Sequence, residues 1–312
     1  MTRLARPIDR RAHFALITLG LALGCAPAPA PAPAPAPSPR ASAPLLFLTD
    51  FGVKDGAVAM CKGVMLDIAP ALRIVDISHQ IPPYDIETAA ELLEQTLPFY
   101  PAGTGAVAVV DPGVGSERKP IAILTKKGHL LVGPDNGIYS LVIESEGLER
   151  AVELRDRRYF RAAETSFTFH GRDIFSPVGA HLAQGTPIDS LGPPIVPVRL
   201  PLRLARLNAD AIEGTVRYIE DPYGNVVTNI RLALLDSIAH VGDSLDVRIG
   251  ARSARLPWRH TFSDVARGQP LAVMHERGLL SFSINQGDFA SDWGVKRGDA
   301  VVVRRAPATA PR

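Results

Sequence analysis

The sequence predicts an α/β domain with a mixed, mostly parallel sheet and helices on both faces. A smaller all-β, barrel-like domain is expected to follow it. Three observations carry this expectation. Up to residue 192, short unbroken apolar runs alternate with segments of helical spacing, as in a sheet covered on both sides. Several of the runs stop at a carboxylate and a glycine turn, which is how a parallel strand hands functional side chains to its C-terminal loop. Beyond 192, short alternating segments are separated by turn residues, the pattern of a small barrel.

Residues 1–25 stand apart from both domains. Arg3, Arg6, Arg10 and Arg11 form a basic start, and 14–24 is an apolar stretch too short to span a bilayer. Together they read as a secretory signal. Leu21-Ala22-Leu23-Gly24-Cys25 approximates a lipobox, with Cys25 as the lipidated residue and Ala22 where leucine is usual. The alternative is a mis-called start, which would leave the protein in the cytoplasm. The next methionine, Met60, lies inside the first predicted helix and makes that alternative awkward. Residues 26–44 are an Ala/Pro-rich linker, denied helix and sheet by proline and expected to be an extended spacer. Export with an N-terminal lipid anchor, and no other membrane attachment, is the expected location.

Within 45–192 the elements follow in order. Residues 45–49 form a short apolar run that predicts a buried strand. The spacing over 57–68 predicts a helix ending before Pro70, with Asp55 as the capping candidate. Residues 73–77 predict a second strand. Residues 86–97 predict an amphipathic helix, with Ile86, Ala89, Ala90, Leu93 and Leu97 on one face. Strands are expected at 106–110 and 121–125, and Leu130-Leu131-Val132 leads into a turn at 133–137. A helix is expected over 174–182. Pro193, Pro194, Pro197 and Pro201 mark a linker over 193–210. The β domain is expected over 211–305, with strands at 214–219, 226–230, 244–249, 271–274, 279–284 and 300–304. Residues 306–312 are expected to be a disordered tail.

Composition narrows the function. Hydrophobic residues make up 46% of the 312 and charged ones 21%, so the chain is globular. A formal net charge of +2, with no basic run interleaved with aromatics, gives no case for nucleic acid. Cys25 and Cys61 are the two cysteines, and they build neither a zinc site nor a disulfide framework. Cys61 reads as inert core. His79, His181 and Asp173 lack metal-site spacing, so no metal is expected. Gly113-Val114-Gly115 is not followed by the lysine of a phosphate loop.

The polar residues at strand ends are the candidates for chemistry. Val109-Val110-Asp111-Pro112-Gly113-Val114-Gly115-Ser116-Glu117-Arg118 ends a strand in a carboxylate, a turn and an arginine. Thr168-Phe169-His170-Gly171-Arg172-Asp173 packs hydroxyl, imidazole, guanidinium and carboxylate into one loop, and Leu48-Thr49-Asp50-Phe51-Gly52 repeats the strand-then-acid pattern. Such clusters are unfavourable unless they bind something. The plainer readings are a structural Asp111–Arg118 pair, a satisfied loop histidine, and Asp50 as a helix-start acid. Asp135 and Asn136, between Gly133-Pro134 and Gly137, read as a turn.

These segments, together with Asp76-Ile77-Ser78-His79, Gly133-Pro134-Asp135-Asn136-Gly137 and Gly224-Asn225-Val226-Val227-Thr228-Asn229-Ile230, occur in the same order in one family. From about residue 45 to 303 the chain resembles the S-adenosyl-L-methionine (SAM) hydroxide adenosyltransferases, relatives of the SAM-dependent fluorinase and chlorinase. The resemblance implies hydrolysis of SAM to adenosine and L-methionine, with SAM as substrate and no cofactor. It implies a catalytic triad of Asp111, Arg118 and His170, with Asp111 holding Arg118 or His170, Arg118 stabilising hydroxide character and His170 accepting or relaying a proton. It places Asp50 on the ribose diol, and Phe51, Tyr84, Thr168 and Phe169 around the ligand. Tyr84 could equally be a surface loop tyrosine. From the second domain it implies contacts by Tyr223, which replaces the usual phenylalanine, and by Asn225. Asp221, or Glu220 beside it, would meet the methionine ammonium, and Phe262 with residues 284–286 would meet adenine. Residues 285–289 depart from the family's small-residue pattern. Arg277 would grip the methionine carboxylate, or else lie in solvent at a hairpin tip. The resemblance also implies a homotrimer with ligand held between subunits. A SAM-dependent halogenase on the same scaffold and a non-catalytic SAM- or adenosine-binding lipoprotein are the competing readings.

Overall fold

The computed structural model describes residues 43–162, 165–201 and 204–307. The signal segment, Cys25, most of the Ala/Pro linker and the end of the C-terminal tail lie outside the described residues.

The first domain is built on a six-stranded sheet in the order β2-β1-β3-β5-β4-β6. Its strands are β1 (Leu45–Thr49), β2 (Ile74–Ser78), β3 (Gly105–Val109), β4 (Pro120–Thr125), β5 (Leu130–Pro134) and β6 (Leu148–Glu153). β1 runs parallel to β2 and β3, and β3 parallel to β5, while β4 is antiparallel to both β5 and β6. The sheet is therefore mixed, with its parallel part at the β2-β1-β3-β5 end.

The apolar runs are unbroken because both faces are covered. Leu45 and Phe47 of β1 pack with Cys61 and Met65 of α1 (Ala57–Ile68) and Val178 of α4 (Ser176–Ala183). Leu46 and Leu48 point the other way, against Ala89 and Leu93 of α2 (Ile86–Thr96) and Val142 of α3 (Ser140–Glu146). Each Leu, Phe, Met or Val side chain so removed from water contributes about 1.5–3 kcal/mol. Asp55 Oδ1 accepts the Ala57 N–H at 2.9 Å and so helps to start α1.

The second domain is a barrel. Seven strands form the ring: β8 (Ala211–Glu220), β9 (Asn225–Arg231), β10 (Ser244–Ile249), β11 (Arg252–Arg259), β12 (Pro270–Met274), β13 (Leu279–Ile284) and β14 (Ala300–Arg305). Pairing of β14 with β8 closes it, and β7 (Arg206–Asn208) adds to the edge of β8. Trp258, Phe282 and Phe289 fill its interior with Ile212, Leu245 and Val301.

Arginines tie the barrel to α2. Arg217 of β8 donates from Nε to Glu91 Oε1 at 2.7 Å and lies 3.3 Å from Glu94. Arg297 reaches Asp85 and Glu87, at 3.1 Å and 2.9 Å.

Several boundaries differ from expectation. The second strand is shifted by one residue, to 74–78. The helix expected to 97 ends at Thr96, and Leu97–Phe99 tightens into a 3₁₀ turn around Pro98. The helix expected from 174 is preceded by a π-helical turn, Gly171–Phe175. α3, β6 and β11 were not expected. α3 is only seven residues long, β6 carries exposed Glu149 and Arg150, and β11 hides its alternation behind Arg252, Arg255, Arg259 and Pro257.

Candidate active site

Because β1, β2 and β3 are parallel, their C-terminal ends emerge along one edge of the sheet. That edge carries Asp50, His79 and Asp111 just past the last strand residues. At such an edge the backbone turns away and side chains can meet a ligand.

Asp111 and Arg118 are joined across the 112–117 turn. Arg118 Nε donates to Asp111 Oδ1 at 3.0 Å, and Arg118 Nη2 donates to Asp111 Oδ2. Their side chains are only 6% and 7% exposed, so the pair is shielded from solvent. Arg118 Nη2 also lies 3.1 Å from His170 Nδ1. A guanidinium only donates, so Nδ1 carries the lone pair and the neutral ring holds its proton on Nε2. Burial, reinforced by the charge of Arg118, holds the His170 pKa below its ordinary range. The Phe175 ring lies under the guanidinium at 5.3 Å. Arg118 Nη1 is buried and has no acceptor among the described residues.

Two glycines make this meeting possible. Gly115 has φ +77°, and a Cβ there would lie 2.5 Å from the Phe167 carbonyl oxygen. The 112–117 turn can therefore sit directly on the 166–170 loop that carries His170. A Cβ at Gly171 would lie 2.8 Å from the Phe51 ring, which brings the Asp50 turn against the same loop.

Asp50 Oδ2 accepts the backbone N–H of Tyr84 at 3.0 Å. Tyr84 is 71% exposed and adopts φ 68°, an uncommon conformation for a residue with a side chain. Phe51 and Phe169 meet edge to face at 5.8 Å. Thr168 is exposed, with its hydroxyl 3.3 Å from that of Ser166. The structure thus gathers Asp50, Phe51, Phe169 and His170 onto one linked set of turns.

The barrel residues gather separately. Tyr223, Asn225 and Phe262 line an open depression of ≈ 520 Å³ with His260, Ile284 and Gln286. All of its lining residues lie between 220 and 287. Asn225 Nδ2 donates to Glu220 Oε2 at 2.9 Å, and Glu220 Oε1 is 3.1 Å from His275 Nε2. Both oxygens of Glu220 are engaged, whereas the exposed Asp221 has no side-chain partner among the described residues. Arg277 does not line the depression. Its guanidinium donates to Glu94 of α2, so it does not lie free in solvent at a hairpin tip.

Other candidates have structural employment. Asn136 donates to the Val110 carbonyl at 2.8 Å and accepts the Ile138 N–H at 3.2 Å, tying the 133–137 turn to the end of β3. Asp135 accepts the Val198 N–H at 2.8 Å. Asp173 is buried against Arg172, and His181 rests edge to face on Tyr159. Burial pushes the Cys61 thiol up to about 11.

Sequence reasoning missed Glu91, Glu94 and Arg217 as the arginine–carboxylate join to α2, and His260 in the depression. Glu91 is buried beside Ala90 on a face that otherwise carries apolar residues, the one local signal that a distant cation was needed.

Residues 45–192 match the family model of the SAM hydroxide adenosyltransferase N-terminal domain, and 214–302 match that of the C-terminal domain. An (R)-S-adenosyl-L-methionine hydrolase from Salinispora tropica is 40% identical over 261 residues, covering 82% of this chain and 96% of that protein. A hydrolase of the same name from Thermus thermophilus is 38% identical, over 82% of this chain and 97% of that one. A fluorinase from Actinoplanes sp. is 28% identical, over 84% and 97%. The crystal structure of an uncharacterized conserved protein from Thermotoga maritima matches with a TM-score of 0.80 and 35% identity, over 84% of this chain and 100% of that one. With both domain models matched in tandem and the motif residues at one edge of the sheet, this chain belongs to the SAM hydroxide adenosyltransferase family.

Proposed function

We propose that this protein is an enzyme that hydrolyses SAM to adenosine and L-methionine, using no metal or other cofactor. The observation that carries the reading is the buried Asp111–Arg118–His170 cluster. The hydrolase relatives at 38–40% identity support it, and the fluorinase relatives are more distant. In the reaction, water oxygen bonds to the 5′ carbon and the carbon–sulfur bond breaks toward sulfur. The sulfonium leaves as a neutral thioether and one proton is released. Sulfonium is already a good leaving group, so the task is to hold a deprotonated water in line and exclude the rest.

The proposed roles follow from the contacts. Asp111 fixes Arg118 by two hydrogen bonds. The guanidinium charge stabilises hydroxide formed by loss of a proton to solvent, and its unpartnered Nη1 is a donor for it. His170 is neutral, and its Nδ1 is occupied by Arg118. Its remaining Nε2–H orients the oxygen rather than taking its proton, which narrows the expected acceptor-or-relay role. Asp50 accepts the ribose diol, Tyr84, Phe51, Thr168 and Phe169 surround the sugar, and Phe262 covers adenine. Asp221, with no side-chain partner among the described residues, takes the ammonium. For Arg277 to take the carboxylate, it must first leave Glu94.

We further infer that sites are shared in a homotrimer. The support is that the barrel depression is lined by no residue of the first domain, which leaves it open for the sheet edge of another copy. Export and lipidation at Cys25 rest on the basic start, the apolar stretch and the lipobox. Cys25→Ser is expected to release the protein from membranes or leave its precursor uncleaved, and wild type found in the cytoplasm with its first residues intact would refute export. For the function itself, incubation with SAM and chromatography should yield adenosine and methionine in the presence of a chelator. A 5′-halogenated nucleoside formed with added halide would favour the halogenase reading, and tight binding without turnover would favour the binding-protein reading.

A further inference from the structure

The Asp76-Ile77-Ser78-His79 segment is not used by the proposed chemistry, yet it is wired to the substrate edge. Thr49 is fully buried and His79 nearly so. The Thr49 hydroxyl lies 2.8 Å from His79 Nδ1 and accepts the Phe51 N–H at 3.2 Å. On the far side of the ring, His79 Nε2 lies 3.1 Å from Asp76 Oδ1, a charge contact without the alignment of a hydrogen bond, and Asp76 Oδ2 accepts from Lys62 Nζ at 2.6 Å. A carboxylate facing Nε2 calls for a proton there, which in the neutral ring leaves the lone pair on Nδ1 to accept the Thr49 hydroxyl. The hydroxyl's own lone pairs are then free for Phe51. The backbone completes the clamp, since the His79 carbonyl accepts the Gly52 N–H at 2.7 Å. Phe47 holds the imidazole edge to face at 4.8 Å.

Asp50 therefore lies between anchored neighbours: Thr49 and Gly52 are bonded to His79, and Phe51 to the Thr49 hydroxyl. Partial burial works against a charged Asp76 but is outweighed by the Lys62 hydrogen bond and charge and by the facing His79 imidazole, which hold its carboxyl below the ordinary range. We propose that Asp76, His79 and Thr49 are positioning residues that aim the Asp50 carboxylate at a vicinal diol, and so set the preference for ribose over 2′-deoxyribose. The inference rests on the reading of Asp50 as the ribose ligand.

The test is calorimetric binding of adenosine and 2′-deoxyadenosine, which needs no turnover. SAM hydrolysis measured on the same wild-type preparation reports separately on the proposed activity. Loss of a hydrogen bond to a carboxylate predicts that wild type prefers adenosine by about tenfold or more. Thr49→Val, which keeps shape and removes the hydroxyl, should bring the preference within about threefold, as should Asp50→Asn. Thr49→Ser should restore it. General destabilisation would lower the active fraction and leave the ratio untouched. A folded Thr49→Val protein with the wild-type preference overturns the proposal, as does a wild type with none. Should Thr49→Val not fold, Asp76→Asn at the partly exposed end of the chain decides: a reduced preference supports the proposal and an unchanged one overturns it.

Discussion

Replacing Asp111 with asparagine tests the proposed hydroxide-stabilising cluster with almost no change in volume. The carboxylate accepts from both Arg118 Nε and Arg118 Nη2. A carboxamide can accept one of these, and its NH₂ then faces the other N–H. One charge-assisted hydrogen bond is lost, worth about 1.5–3 kcal/mol. The guanidinium is 7% exposed and also loses its counter-charge, which raises the expected total to about 3–5 kcal/mol. In a protein of this size that lowers Tm by about 6–20 °C. Arg118 is then free to swing from His170 Nδ1, 3.1 Å away, and the water loses its fixed charge. If about 3–4 kcal/mol of the total is felt only in the transition state, kcat falls by about 10²–10³-fold with a smaller change in KM. Saturating SAM, adenosine quantified by chromatography and a melt of the same sample give both quantities. A variant within threefold of wild-type kcat would refute the reasoning, even if its Tm had fallen.

Three further outcomes are expected. The kcat–pH profile should fall on the acid side as His170 is protonated; its pKa lies below the ordinary histidine range, so activity should persist below about pH 6.5 before being lost, whereas a loss centred above that value would contradict the environment described. Gly115→Ala should cut turnover at least tenfold and lower Tm, because the new Cβ would meet the Phe167 carbonyl at 2.5 Å and push the turn off the His170 loop; wild-type activity would show that the contact is not needed. Co-assembled Asp111→Ala and Asn225→Ala chains should regain activity that neither has alone if sites are shared, and no recovery in verified mixed oligomers would place each site within one chain.

Fold class was legible because it rests on local pattern. The unbroken run of β1 is apolar at every position since Leu45 and Phe47 serve one layer and Leu46 and Leu48 the other. Asp111 and Arg118 stood out at a strand end and the turn after it, and His170 in a polar loop, but only the family resemblance joined the three, and the orientation of His170 was not legible. It depends on Arg118 Nη2 meeting Nδ1 across 52 positions of sequence. Arg277 shows the same limit: its sequence context is a hairpin tip, while its partner Glu94 lies 183 positions away on α2. β11 was hidden because Pro257 and three arginines mask a strand whose Leu256 and Trp258 face the barrel core.

The central claim is that water attacks the 5′ carbon of SAM. It is tested most directly by single-turnover reaction in oxygen-18 water, followed by mass analysis of the adenosine. The account predicts one labelled oxygen, located in the 5′-hydroxyl, with unlabelled methionine and no effect of chelator. Unlabelled adenosine, or no adenosine at all from folded protein and SAM, would contradict it.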